Sequence, residues 1–155
     1  MITKEHEIKK YCLFYASDFH LEMILLPYIK NNIDDTHFTI FTEKNLDESL
    51  KILLSKTNLK FNEKEQMLKL GWNIKKDEKI TSDELNNNTI IINGSKNYIS
   101  NINKKISMSK AKKVNIIDCY NIEEKDIDVE RIKKQYDDIL NTKKYKKFNK
   151  GIDKN

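Results

Sequence analysis

The chain has 155 residues, of which 38% are hydrophobic and 34% charged, and a formal net charge of +5. That length suits one domain burying roughly 70% of its unfolded surface, and no apolar run approaches the ~20 residues of a membrane span. Residues 1–10, MITKEHEIKK, lack the apolar stretch of a signal peptide, so a cytoplasmic setting is expected, with Cys12 and Cys119 as buried thiols and not a disulfide.

Residues 11–28, YCLFYASDFHLEMILLPY, set the pattern for the chain. The apolar run from Cys12 to Ala16 suits a strand covered on both faces. Ser17 and Asp18 are good caps for a following helix, because their side-chain oxygens accept its unpaired first-turn N–H groups. Leu21, Ile24, Leu25, Tyr28 and Ile29 then share one helical face, and Pro27 is expected to kink or end that helix nearby. A strand feeding directly into a helix begins a βαβ crossover and turns its cap residues toward the carboxyl edge of a sheet.

The pattern repeats. HFTIFT (residues 37–42) reads as a second strand, followed by a helix capped by Asn45 with Glu48 as its capping-box partner and with Leu46, Leu50, Leu53 and Leu54 on one side. A short helix is expected over residues 63–70, stopped by Gly71, with Trp72 and Ile74 opening a strand or plugging the sheet edge. Residues 81–85 suggest a helical turn, and Asn86, Asn87 and Asn88 a loop. TIIIN (residues 89–93) is the third strand; after Gly94 and Ser95 comes a helix aligning Tyr98, Ile99, Ile102 and Ile106. A fourth strand covers residues 114–117 and ends at Asp118, Cys119 and Tyr120, and Val129, Ile132, Tyr136, Ile139 and Leu140 share a face of the last expected helix. Alternating strands and helices imply a single three-layer α/β/α domain over residues 1–140, Rossmann-like or RecA-like, with a mostly parallel sheet of four or five strands.

Residues 141–155 form a basic tail with a net charge of +5, as much as the whole chain carries. Lys143, Lys144, Lys146 and Lys147, interleaved with Tyr145, could meet nucleic acid, whereas the alternative is a frayed terminus. Arg131 is the only arginine, which argues against bidentate phosphate or base recognition.

In open α/β sheets, ligands bind outside the carboxyl ends of the strands. Asp18, His20, Glu43, Asn93, Ser95 and Asp118 are expected there as polar contacts for a small polar or anionic ligand, beside helix N-termini that favour negative charge. Asn93-Gly94-Ser95-Lys96 has a phosphate loop's position but neither GxxxxGK[ST] nor GxGxxG, so a turn glycine and a Ser cap explain it. No histidine stands near Cys119 in sequence to activate its thiol.

Two resemblances touch this edge. Ser17-Asp18-Phe19-His20 after a strand resembles the first metal-binding motif of calcineurin-like metallophosphoesterases, which implies a metal-dependent hydrolase using Asp18 and His20; the rest of that pattern, GDxxD and GNH[DE], is missing. The segments CLFY, LPYI, FTIFTE, LDESLKILL and IIDCYN, within residues 11–59 and 114–121, resemble the MEDS sensory domain, a RecA/KaiC-like α/β domain of signalling proteins. The chain departs from it at Asn31-Asn32-Ile33-Asp34, where a glycine-containing turn would stand. That resemblance implies a ligand-sensing or signalling role without phosphate-loop catalysis. The expected function is a non-enzymatic sensory or regulatory module with no cofactor, and, because the sequence shows no output element, a second copy or a signalling partner is expected by elimination.

Overall fold

The computed structural model describes residues 7–72 and 88–141. Five strands form one all-parallel sheet: β1 (Glu7–Tyr15), β2 (His37–Thr42), β3 (Asn88–Asn93), β4 (Lys113–Asn121) and β5 (Asp138–Ile139), in the spatial order β2-β3-β4-β1-β5. The connecting helices are α1 (Asp18–Asn32), α2 (Asp47–Ser55), α3 (Phe61–Leu68), α4 (Lys96–Met108) and α5 (Val129–Lys133).

Strand alternation sorts the core into two halves. Leu13, Tyr15, Ile40, Ile91, Ile117 and Cys119 face the side covered by α1, α2 and α3, where Leu21, Leu25, Leu50, Leu54 and Met67 meet them. Cys12, Ile90, Ile92, Val114, Ile116 and Tyr120 face the other side, under Ile99, Ile102 and Ile106 of α4 and Ile132 of α5. This is the three-layer α/β/α architecture expected from the sequence. The thiols of Cys12 and Cys119 are free and buried, and they point to opposite faces of the sheet. Among the described residues no helix is long and apolar enough to cross a membrane.

Several local expectations are corrected. Helix α1 runs through Pro27 to Asn32. A proline inside a helix costs about 3 kcal/mol, but ending there would strip Ile29 from the core together with half-buried Tyr28 and Ile33, and each fully buried side chain returns ~1.5–3 kcal/mol. Asn45 does not cap α2: its Oδ1 accepts the Asp47 N–H, while buried Leu46 takes the cap position and donates its own N–H to Trp72 O. Helix α3 starts two residues early and ends before Gly71, whose φ of 83° a side chain would resist. Trp72 is a buried plug, with Nε1 donating to Met67 O at 2.7 Å. Asn88 opens β3 and is not a loop residue.

The largest correction concerns the last element. The single expected helix divides into the short α5 and the two-residue strand β5, which pairs with β1. Asp137 N donates to Lys10 O and Leu140 N to Cys12 O, both at 2.8 Å, so the edge of β1 gains partners that a longer helix would have withheld. Ile74, residues 81–85, Asn86, Asn87, and the tail lysines Lys143, Lys144, Lys146 and Lys147 lie outside the described residues.

Candidate functional site: the carboxyl edge of the sheet

The sheet ends at Tyr15, Thr42 and Asn93, and the side chains of these three residues close on one another. Asn93 is buried; its Oδ1 accepts the Tyr15 hydroxyl at 2.6 Å and its Nδ2 donates to Thr42 Oγ1 at 3.2 Å. The Thr42 hydroxyl donates to Lys44 O at 2.6 Å and accepts the Lys44 N–H at 3.2 Å. One amide thus ties β1, β2 and β3 together just beneath their carboxyl ends. Burial pushes the Tyr15 phenol up, so it stays a donor to Asn93.

Above this layer lies a charged rim. Lys44 Nζ meets Asp18 Oδ2 at 2.8 Å; the lysine side chain is 67% exposed and the aspartate 27%. Glu43 Oε1 accepts the Ser95 N–H at 2.8 Å, placing a carboxylate where a helix N-terminus would welcome an anion. Gly94 permits this approach: a Cβ there would come within 2.8 Å of Glu43 Oε1 and 2.6 Å of Tyr98 Cδ2. Ser17 Oγ caps α1 by accepting His20 N–H at 3.1 Å, and Ser95 Oγ caps α4 by accepting Tyr98 N–H at 3.2 Å. His20 is exposed, and its Nδ1 accepts the Ala16 N–H at 3.1 Å.

Of the six residues expected to line this edge, Asp18, His20, Glu43 and Ser95 reach it, and Asn93 lies just below it as the tie between strands. Asp118 does not reach it. Strand β4 continues to Asn121, so Asp118 sits within the sheet, beside Cys12 of β1, on the face under α4. It is fully buried and accepts hydrogen bonds from the Tyr136 hydroxyl at 2.5 Å and from Asn103 Nδ2 at 3.0 Å, with Lys10 Nζ at 3.7 Å. Tyr120 and Tyr136 share a further hydroxyl–hydroxyl bond at 2.5 Å. Burial raises the Asp118 pKa, and the donors from Tyr136 and Asn103 oppose that rise. This network holds the segment after α5 onto the sheet.

Thr42 and Lys44 stand in the same strand-to-helix segment as Glu43, which the sequence already places at this edge. Tyr15 was not expected there, and its part in the edge depends on the strand order.

A buried acid lies one turn into α1. Glu22 is fully buried against α2, where Ser49 Oγ donates to its Oε2, and its Oε1 has no hydrogen-bond partner among the described residues. Burial raises its pKa and Asp18 adds to the rise, against the opposing Ser49 hydrogen bond.

The edge offers a ligand ion pairs and hydrogen bonds. Among the described residues no group of three or more His, Cys, Asp or Glu side chains is placed to hold a metal ion. Burial pushes the Cys12 thiol up to about 12 and the Cys119 thiol well above its ordinary value, so neither is a poised thiolate. A cavity of about 310 Å³ opens at the opposite, amino-terminal edge of the sheet. No family model, no curated protein and no solved structure matches the chain.

Proposed function

We propose that the chain is a non-enzymatic sensory or regulatory α/β module that binds a small anionic or polar ligand at the carboxyl edge of its sheet. The observation that carries this reading is the Lys44–Asp18 pair at 2.8 Å, exposed on its lysine side and set over the buried Tyr15–Asn93–Thr42 tie. Thr42 bonds both the N–H and the C=O of Lys44, so the backbone that carries the ammonium is fixed before any ligand arrives. An incoming anion takes Lys44 from Asp18 and adds the donors of Ser17, His20 and Ser95. The released Asp18 carboxylate then bears on Glu22, one turn away at the α1–α2 contact, and that contact offers a route from ligand to helix packing. The likeness to a sensory domain agrees with such a role, and a second copy or a partner protein would carry the signal onward.

Titration calorimetry with inorganic phosphate tests the reading. Saturable binding is expected, weakened ~10-fold or more by Lys44→Met, which corresponds to about 1.4 kcal/mol. Phosphate binding that survives Lys44→Met unchanged would remove the rim from the proposal.

A further inference from the structure

The cavity at the amino-terminal edge is built from the first residues of three strands and from the turn after α1. Its walls are Glu7 and Lys9 of β1, Asp35 and Thr36 of the turn, Asn88 of β3, and Lys113 and Asn115 of β4. Its volume of about 310 Å³ falls at the lower end of the range for small-molecule sites, ~300–1,000 Å³.

Its charges differ from those of the carboxyl rim. The cavity brings together two ammonium groups, Lys9 and Lys113, and two carboxylates, Glu7 and Asp35. Among the described residues, no hydrogen bond or ion pair engages the side chains of Glu7, Lys9 or Asp35. A simple anion entering here meets two carboxylates, and a simple cation meets two ammonium groups. A molecule carrying both charges a short distance apart can satisfy both sets at once. The geometry also gives such a molecule a direction. Asp35 follows the C-terminus of α1, where Asn32 O accepts the N–H groups of Asp35 and Thr36, and the negative end of the helix dipole adds to the Asp35 carboxylate. The cationic end of a ligand belongs on that side, and its carboxylate on the strand side, beside Lys9 and the Asn115 amide.

We propose that this cavity is a second binding site, separate from the carboxyl rim, and that it takes a small zwitterion of the α-amino-acid class. Asp35 holds the ammonium, Lys9 holds the carboxylate, and Asn115 and Thr36 supply neutral polar contacts.

Amide chemical-shift titrations of the full chain test this, with alanine, glutamine and leucine added singly and with acetate and methylammonium as single-charge controls. Saturable shifts are expected at Lys9, Thr36 and Asn115 with at least one amino acid. Each control should bind ~10-fold or more weakly, the loss of about 1.4 kcal/mol that one missing charge contact costs. Lys9→Met and Asp35→Asn, both on exposed side chains, should each weaken the amino acid by a similar factor while leaving the amide spectrum folded. Lys44→Met, at the other end of the molecule, should leave it unchanged, so failure of the rim proposal and failure of this one give different results. Acetate binding as tightly as the amino acids, no saturable shift with any of the three, or unchanged binding in both Lys9→Met and Asp35→Asn would overturn the assignment.

Discussion

The two ends of the sheet handle charge in opposite ways. At the carboxyl edge each polar group has an internal partner: Asp18 has Lys44, Glu43 has the Ser95 N–H, and Asn93 has Tyr15 and Thr42. At the amino edge, Glu7, Lys9 and Asp35 stand around open volume, with no side-chain partner among the described residues. The difference follows from chain direction. In a parallel sheet the carboxyl ends feed directly into helix N-termini, whose unpaired N–H groups recruit Ser17, Ser95 and Glu43. The amino ends receive helix C-termini through turns, where no unpaired first-turn N–H groups recruit such partners. A ligand at the first edge must therefore displace an internal partner, whereas one at the second fills space.

The largest expected effect breaks the closed end. Asn93→Ala removes both hydrogen bonds of the buried tie and leaves a small void, and should cost about 3 kcal/mol in denaturant unfolding. A loss below ~1 kcal/mol would show that the tie contributes little beyond an average hydrogen bond. Gly94→Ala should cost about 1–2 kcal/mol, because the added Cβ must push back Glu43 and Tyr98.

A pH series sharpens the comparison. The Glu22 pKa is raised in the fold from its ordinary 4.5, so the native state holds a proton that the unfolded chain has released. The contribution of Glu22 to stability is therefore most favourable below 4.5 and declines as pH climbs from there through the raised native value. Glu22→Gln should gain on the wild type across that window in thermal unfolding, and a constant difference from pH 4 to 8 would contradict the assignment. Asp118→Asn follows the same sign, offset by the weaker hydrogen bonds that the amide accepts from Tyr136.

Smaller effects separate the charged surfaces. Lys44→Met should cost no more than ~1 kcal/mol, the worth of a largely exposed ion pair. Lys9→Met should lie within about 0.5 kcal/mol of the wild type, since Lys9 is exposed and its ammonium has no ion-pair partner among the described residues.

Periodicity made the layers legible in the sequence. The helical spacing of Leu50, Leu53 and Leu54, and of Ile99, Ile102 and Ile106, identified faces that the fold buries, and Ser17 and Ser95 announced their helices. Four features were not legible. Strand β5 is two residues held by backbone bonds to β1, which leave no mark on side-chain pattern. Asp118 looked like a strand end because a charged residue seldom continues a buried strand, yet Tyr136, Asn103 and Lys10 make it tolerable there. The Tyr15–Asn93–Thr42 tie joins residues far apart in the chain and depends on the strand order, which one sequence does not contain. The amino-edge cavity was missed for a related reason: attention to carboxyl ends passed over Glu7, Lys9 and Asp35, which meet only once β1 lies beside β4.

The account rests on exchange of partners at Lys44, and amide chemical-shift mapping during a phosphate titration tests it most directly. Saturable shifts are expected at His20, Lys44 and Ser95, accompanied by smaller shifts at Glu22 and Ser49, with residues 7–9 and 113–115 unmoved. Phosphate shifts that never saturate at Lys44, or that centre on the amino-terminal edge, would contradict it.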